Sequence, residues 1–404
     1  MDATPHFVIN NPQSELAQQL EHLQIKLGKA LRGFEGGFPP GVSEWDLSAH
    51  NPDLDMFPVP ELVLFALRDV MGFRWTGPGE KVRWIVHATV EGEPFGFALR
   101  KQGFRILRRH GLKPELLRRV SGQLSSSLRL LEPFLKMVAE AQISEGNLTL
   151  ANKMALHEDR YRYFRKLADQ SFARTEDEPV GPTLNAEGAP DIIASIFDGV
   201  KWQIEAEQEG FFASGAMVEA WFSGLEHRLL LLRAFIGRPL PSGGFKAFLA
   251  EGWDDRLRIL VREAGSTLNS GLMGRLRRVK ETIRNPLSHG GVENDGGSFH
   301  FHLPRVGAIP ANLSRYRGRV RMSFFPISPT SHNETCVVFD EVDALLSTGH
   351  FELPHQFVRW GVEPQFHQAG LERYAIALAG GAKSVEELLD RIGYEMDRHD
   401  NMDY

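Results

Sequence analysis

The segment from Pro190 to Ile283 constrains the fold most, because its apolar residues recur at helical spacing over four successive stretches. The connections between the stretches are short, and Gly237 and Pro239 mark the end of the second one. Four helices joined in this way predict a helical bundle. The apolar stripes comprise Ile193, Ile196, Phe197, Val200 and Ile204; Val218, Trp221, Phe222, Leu225, Leu229, Leu232 and Ile236; Phe245, Phe248, Trp253, Leu257 and Leu260; and Leu272, Leu276, Val279 and Ile283.

The N-terminal part of the chain predicts helices around a small sheet. Residues 12–32 carry a leucine stripe, and residues 114–143 show a helical pattern that Pro133 should break or kink. Between them, Val82–Val90 and Phe95–Leu99 alternate apolar and polar residues on either side of a glycine-containing turn. This alternation predicts a β-hairpin.

The C-terminal part predicts strands followed by one helix. Alternation at Phe299–Leu303 and Val320–Phe324, and the apolar run Cys336–Phe339, indicate strands. Ser384 and Glu387 have the spacing of a capping box at the start of a last amphipathic helix.

The expected fold class is therefore mainly α with small β elements (α+β), and 404 residues suffice for about two or three domains. We expect residues 1–175 to form a mixed helical region with a hairpin and a sensor role. Residues 176–189, rich in acidic residues, proline and glycine, are the expected linker. Residues 190–295 form the predicted bundle, and residues 296–404 supply the C-terminal strands and helix.

Composition excludes several functional classes. The formal net charge of −6 argues against a protein that binds nucleic acid along its whole surface. RNA would therefore have to bind in a local basic groove. A single cysteine, Cys336, excludes a disulfide framework and fits a reducing, cytoplasmic compartment. The sequence shows no secretory leader, no membrane-spanning run, no phosphate-binding glycine loop and no G-x-S-x-G motif. No cofactor and no metal are expected.

The last helix of the predicted bundle is basic. The sequence from Gly271 to Gly291 reads GLMGRLRRVKETIRNPLSHGG. Arg277, Lys280 and Arg284 share a face away from the apolar stripe, so we expect them to point to solvent or to a ligand.

A short turn follows that helix and carries a histidine. Pro286 disfavours helical geometry at Asn285, so the helix is expected to end or kink there. His289 lies one turn later, and Ser288 precedes it. A fixed cation such as Arg284, a titratable imidazole and polar side chains are the groups that phosphodiester chemistry uses.

The form RNPLSH resembles the signature of the HEPN superfamily, in which an arginine, often followed by a polar residue, precedes a histidine by a few residues. The resemblance covers residues 190–295 and implies a compact helical bundle and a metal-independent endoribonuclease. It implies that Arg284, Asn285 and His289 are catalytic, with Arg277, Lys280 and Ser288 as the expected substrate-binding residues. The ribose 2′-hydroxyl would attack its own phosphodiester and leave a 2′,3′-cyclic phosphate.

The resemblance also implies partners. Relatives often act in prokaryotic defence or growth arrest as toxins, so RNA and a regulatory partner or antitoxin are expected. Each chain offers one convincing histidine, His289, whereas in-line cleavage uses both an acid and a base. A homodimer that places two copies of Arg284 and His289 in one cleft is therefore expected.

Other interpretations of the same residues remain open. Arg105 and His110 have the same spacing as the motif, but they follow strand-like segments. The motif could instead be an ordinary helix stop in a non-catalytic HEPN-like module for dimerisation or nucleotide sensing, or in a structural helical protein. His300 and His302 share a strand face and could be metal ligands, although a solvent-facing pair is favoured. Glu226 could orient an active-site group, or pair with Arg228 or Arg233, the option that the sequence favours.

Overall fold

The computed structural model describes residues 15–175, 184, 188, 191–241, 243–285, 300–310 and 327–402. The chain is mainly α-helical with small β elements, as the sequence predicted. It divides into two compact units. The first extends to Glu145 and includes the chain from Asp390 onward, and the second is Gly146–Leu389.

The first unit is built around an antiparallel sheet with the strand order β1-β4-β5-β6-β2, in which β3 also pairs with β4. The predicted hairpin is present: Glu91 and Gly92 both have positive φ (53° and 78°), as a tight two-residue turn requires. The hydrophobic core of this unit includes the buried side chains of Trp84, Phe97 and Ile106, which lie on the central strands of the sheet. The strands are β1 (Phe34–Gly36), β2 (Ser48–His50), β3 (Trp75–Thr76), β4 (Val82–Val90), β5 (Glu93–Arg100) and β6 (Gly103–Arg108).

Among the described residues up to Glu145, the first unit also contains four helices. Leu23 and Leu27 bury the stripe predicted for the first helix. The helical pattern of residues 114–143 is interrupted by a 3-10 turn at Arg129–Leu131, so Pro133 lies in the first turn of a new helix, where its missing N–H is tolerated. The helices are α1 (Glu15–Ala30), α2 (Glu61–Leu64, continued by a π-helical turn at Phe65–Val70), α3 (Pro114–Leu128) and α4 (Glu132–Glu145).

The second unit is organised around two long helices, α5 (Met154–Ala173) and α6 (Ile192–Phe235). The prediction of two separate helices over Pro190–Ile236 is wrong, because one helix of 44 residues spans this stretch. Gly210 lies where a Cβ atom would approach the Phe172 ring to 2.5 Å, so glycine at this position allows α5 and α6 to pack closely.

The remaining helices of the second unit pack on α6. They are α7 (Gly244–Ala250), α8 (Trp253–Glu263), α9 (Ser270–Val279, continued by a π-helical turn at Lys280–Arg284), α10 (Pro329–Leu345), α11 (Glu352–Arg359) and α12 (Gln368–Ala379). A last helix, α13 (Ala382–Asn401), contributes residues to both units. No helix among the described residues is both long enough and apolar enough to cross a membrane.

Two predictions for the C-terminal part need correction. Cys336–Phe339 is not a strand but part of α10, where Ser328 caps the helix and Cys336, Phe339 and Val342 are buried at helical spacing. Helix α13 begins at Ala382, so Ser384 and Glu387 lie inside it and form no capping box. Strand β7 (His300–Leu303) is present as predicted and pairs with β8 (Gly307–Pro310), whereas Val320–Phe324 lie outside the described residues.

The division into units also differs from the predicted boundaries. Helix α5 precedes the predicted linker, residues 176–189, yet it packs along α6 in the same unit. The predicted N-terminal region, residues 1–175, therefore spans parts of both units, and the bundle begins before residue 190.

Candidate active site

The basic helix of the motif is α9 with its π-helical continuation. Leu272, Leu276 and Val279 are buried, as the apolar stripe predicted. Asn285 retains helical dihedral angles (φ −60°, ψ −45°), and Pro286, which was expected to end or kink the helix there, lies outside the described residues. The wide turn at Lys280–Arg284 matters for the site, because π-helical turns inside helices frequently occur at functional positions.

Arg284 is held against one face of α6. Its Nη1 donates to Glu226 Oε1 at 3.1 Å, and its Nε lies 3.5 Å from Glu219 Oε2. The guanidinium carbon lies 5.0 Å from the centroid of the Phe222 ring. Glu219, Phe222 and Glu226 are spaced by three and four residues, so they share one face of the helix. These two contacts use Nη1 and Nε and not Nη2, and the Arg284 side chain is 20% exposed.

The second basic residue, Lys280, lies over an aromatic ring. Its ammonium nitrogen is 5.3 Å from the Trp253 ring centroid. Burial lowers the pKa of Lys280, and the positive charge of Arg284 lowers it further. Lys280 and Arg284 therefore form a pair of neighbouring cations whose charge is offset by Glu219 and Glu226.

Arg277 is directed elsewhere. It forms an ion pair with Asp254 on α8, and the hydrogen bond from Arg277 holds the pKa of Asp254 below its usual value. Arg277 thus contacts α8, whereas Arg284 contacts α6. Within this ion pair the Arg277 side chain is 43% exposed, so it also faces solvent.

The described residues include only part of the predicted constellation. Asn285 follows Arg284 directly in the same helix and is half-buried. Ser288 and His289 lie outside the described residues.

Glu226 pairs with the motif arginine and not with its sequence neighbours, so the favoured interpretation of this residue was wrong. Arg228 instead pairs with Asp343 at 2.8 Å, and Arg233 pairs with Glu263 at 3.2 Å. The seven-residue spacing of Glu219 and Glu226 is the signal that could have identified them as one acidic face.

The competing pair Arg105 and His110 has a different environment. Arg105 lies on β6 and donates to the backbone oxygens of Phe104 at 2.9 Å and Gln102 at 2.7 Å. These local bonds occupy its guanidinium. The strand context predicted from sequence is therefore present.

A buried polar chain in the second unit was missed altogether. His332 on α10 bonds to Ser214 on α6 at 2.8 Å through Nδ1 and to Asp169 on α5 at 2.9 Å through Nε2. Ser214 is 0% exposed and His332 is 1% exposed, so no substrate can reach this serine as it would in a hydrolase. His332 is more than a hundred positions from each of its partners, so no local pattern reveals the chain.

In the part of the chain that the structure describes, no group of three His, Cys, Asp or Glu side chains could hold a metal ion. His300 and His302 both lie on β7, and His302 is exposed.

Comparison with known proteins adds no relative: no family model, no curated protein and no solved structure matches the chain.

Proposed function

We propose that the protein is a metal-independent endoribonuclease of HEPN type, acting in the cytoplasm as a defence or growth-arrest effector. The observation that carries the proposal is the position of Arg284, which two carboxylates and an aromatic face hold at the end of a basic helix. A cation fixed in this way is suited to stabilising the charge that develops on a phosphorane.

The proposed roles follow from the chemistry of each side chain. The ribose 2′-hydroxyl attacks the adjacent phosphorus, the bond to the 5′-oxygen breaks, and a 2′,3′-cyclic phosphate and a 5′-hydroxyl result. His289 transfers the proton, as base or as acid. Arg284 stabilises the added negative charge through Nη2, while Asn285 and Ser288 orient the phosphate. Lys280 and Arg277 contact the RNA backbone on either side of the cleaved bond. For this contact Arg277 must leave its ion pair with Asp254 and bind the RNA instead.

The proposal is tested by incubating the purified chain with RNA in the presence of EDTA and analysing the ends of the products. We expect cyclic phosphate ends, and we expect His289→Ala and Arg284→Ala each to lower the cleavage rate about a hundredfold or more. Arg278→Ala is the matched control, because Arg278 is exposed on the same helix and forms no ion pair with any described residue. Folded His289→Ala protein that cuts as fast as wild type would refute the assignment, and activity lost in EDTA would favour a metal site.

A non-catalytic HEPN-like module is the second candidate. It is favoured by the same ion pairs, because Glu219 and Glu226 neutralise Arg284 as they would in a purely structural contact. The two candidates differ in one result: a structural Arg284 predicts that Arg284→Ala lowers stability, with no RNA cleavage by wild type to lose.

We propose that the chain forms a homodimer under either candidate function. The first turns of α6 extend beyond the end of α5 and expose a stripe of large apolar side chains, each at least half exposed. A contiguous apolar face of this kind is typical of an interaction surface. A second copy of the chain is the proposed occupant, with an antitoxin-like regulatory partner as the proposed restraint. The stripe consists of Ile192, Ile193, Ile196, Phe197 and Val200.

A further inference from the structure

A second concave site lies within the second unit, apart from the motif. It is a cavity of about 460 Å³ bounded by α5, α6, α10 and α11. Cavities of this size hold small organic ligands. On α6 the cavity residues Trp221, Gly224 and Arg228 are offset by about half a turn from Glu219 and Glu226, so the helix presents the cavity and the motif on opposite faces.

Buried charge is concentrated in this cavity. Arg228 is 7% exposed and donates to Asp343 at 2.8 Å, while its Nη2 lies 3.6 Å from Glu158. Trp221 Nε1 lies 3.3 Å from the second oxygen of Asp343. The Nε atom of Arg228 is buried and has no hydrogen-bond partner among the described residues. An arginine that is more than nine-tenths buried therefore retains an unused donor.

Imidazoles line the same cavity. Burial, together with the positive charges of Arg228 and Arg359, lowers the pKa of His355 to about 4. Burial likewise lowers the pKa of His157. At neutral pH both rings are uncharged, and the Nδ1 atom of His355 is buried without a partner in the described chain. A neutral imidazole can supply an N–H to a ligand.

Two exposed arginines, Arg162 and Arg359, also line the cavity. Arg162 donates to Glu158 at 2.7 Å, so both oxygens of Glu158 face an arginine. Arg359 is exposed and forms no ion pair with any described residue. The carboxylate oxygens of the cavity are thus engaged, whereas the exposed Arg359 guanidinium remains as a donor. Three arginines and two carboxylates line the cavity, and Arg162 also lies 3.7 Å from Asp159 outside it, so Arg359 is the lining arginine that has no ion pair with a described residue.

We infer that this cavity binds a small organic phosphate monoester. A phosphate group presents acceptors only, which matches the surplus of donors, and arginine forks recognise it geometrically. The phosphate lies between Arg162 and Arg359, and the organic part occupies the remaining volume, which is far larger than a phosphate ion. None of the lining residues belongs to the motif, so the site does not depend on the proposed ribonuclease activity.

Calorimetric titration of the full chain tests the inference with three probes: inorganic phosphate, ribose 5-phosphate and adenosine 5′-monophosphate. We expect saturable binding of at least one ester, weakened about tenfold or more by Arg359→Gln and by Arg162→Gln, because each removes a charge-assisted hydrogen bond. Arg262→Gln is the matched control, since Arg262 is exposed on α8 outside the cavity.

The outcomes separate clearly. Unchanged ester affinity in Arg359→Gln and Arg162→Gln, or no saturable binding of any probe, overturns the inference. Equal affinity for inorganic phosphate and for both esters overturns the assignment of an organic ligand. Titration of the His289→Ala chain shows that the two proposals are distinct, because loss of RNA cleavage there should leave ester binding unchanged.

Discussion

Replacing His332 by alanine tests whether the hydrogen bonds of His332 to Ser214 and Asp169, which join three helices, stabilise the fold. A carboxylate only accepts hydrogen bonds, so Nε2–H of His332 donates to Asp169, and the Ser214 hydroxyl donates to Nδ1. Alanine removes both bonds and leaves the Ser214 hydroxyl buried without this acceptor. It also opens a void beside Phe172, whose ring centroid lies 5.3 Å from the imidazole.

The magnitude depends mainly on Ser214. An unsatisfied buried hydroxyl costs roughly 1–3 kcal/mol, and the void left by an imidazole adds roughly 1–2 kcal/mol. Asp169 contributes little, because its side chain is 53% exposed and regains water. We therefore expect His332→Ala to lower the free energy of unfolding by roughly 2–5 kcal/mol.

Differential scanning calorimetry and urea denaturation provide the measurement. Asp169→Asn should change stability by less than about 1 kcal/mol, as for most exposed positions. The double variant Ser214→Ala/His332→Ala should be more stable than His332→Ala alone, because it removes the unsatisfied hydroxyl. A His332→Ala protein as stable as wild type, or a double variant less stable than His332→Ala, would refute the reasoning.

Two further predictions concern pH and association. Burial lowers the pKa of His227 and of His355 from 6.5 to about 4, so the stability they contribute is complete above pH 6.5 and is lost as the pH falls toward 4. His355→Gln should therefore make the melting temperature fall less steeply over this range, and an unchanged slope would contradict the assignment. Ile196→Asp should convert the proposed homodimer to a monomer in sedimentation while the chain stays folded, because Ile196 is 61% exposed in the single chain. Lys201→Gln, on the polar side of the same helix, should leave the association state unchanged, and a wild-type monomer would end this proposal.

The periodic patterns of the sequence predicted much of the local structure. The stripe of α9 and the hairpin of β4 and β5 are present because long, regular patterns match one backbone period only. The short apolar run Cys336–Phe339 was misread as a strand, since four residues fit a strand and a buried helix turn equally well. The close packing of Gly210 against Phe172 leaves no trace in the local sequence.

The candidate site was predictable in part. The sequence identified Arg284 and Glu226 as candidate residues, but it could not predict their contact, because they are separated by about sixty residues. The cavity around Arg228 depends on α5, α6, α10 and α11, which are still more distant along the chain. Such sites follow from tertiary packing and have no local signature.

The continuity of α6 fixes the rotational phase of its two ends. At about 1.5 Å per residue, 44 residues span roughly 66 Å without a joint at which one end could turn independently. Each inserted residue would rotate the apolar stripe by about 100° relative to Glu219 and Arg228, whereas seven inserted residues would return it to within about 20°. The exposed end of α6 can therefore vary in length by whole heptads while keeping its face, but single insertions before Ala206 would turn that face away.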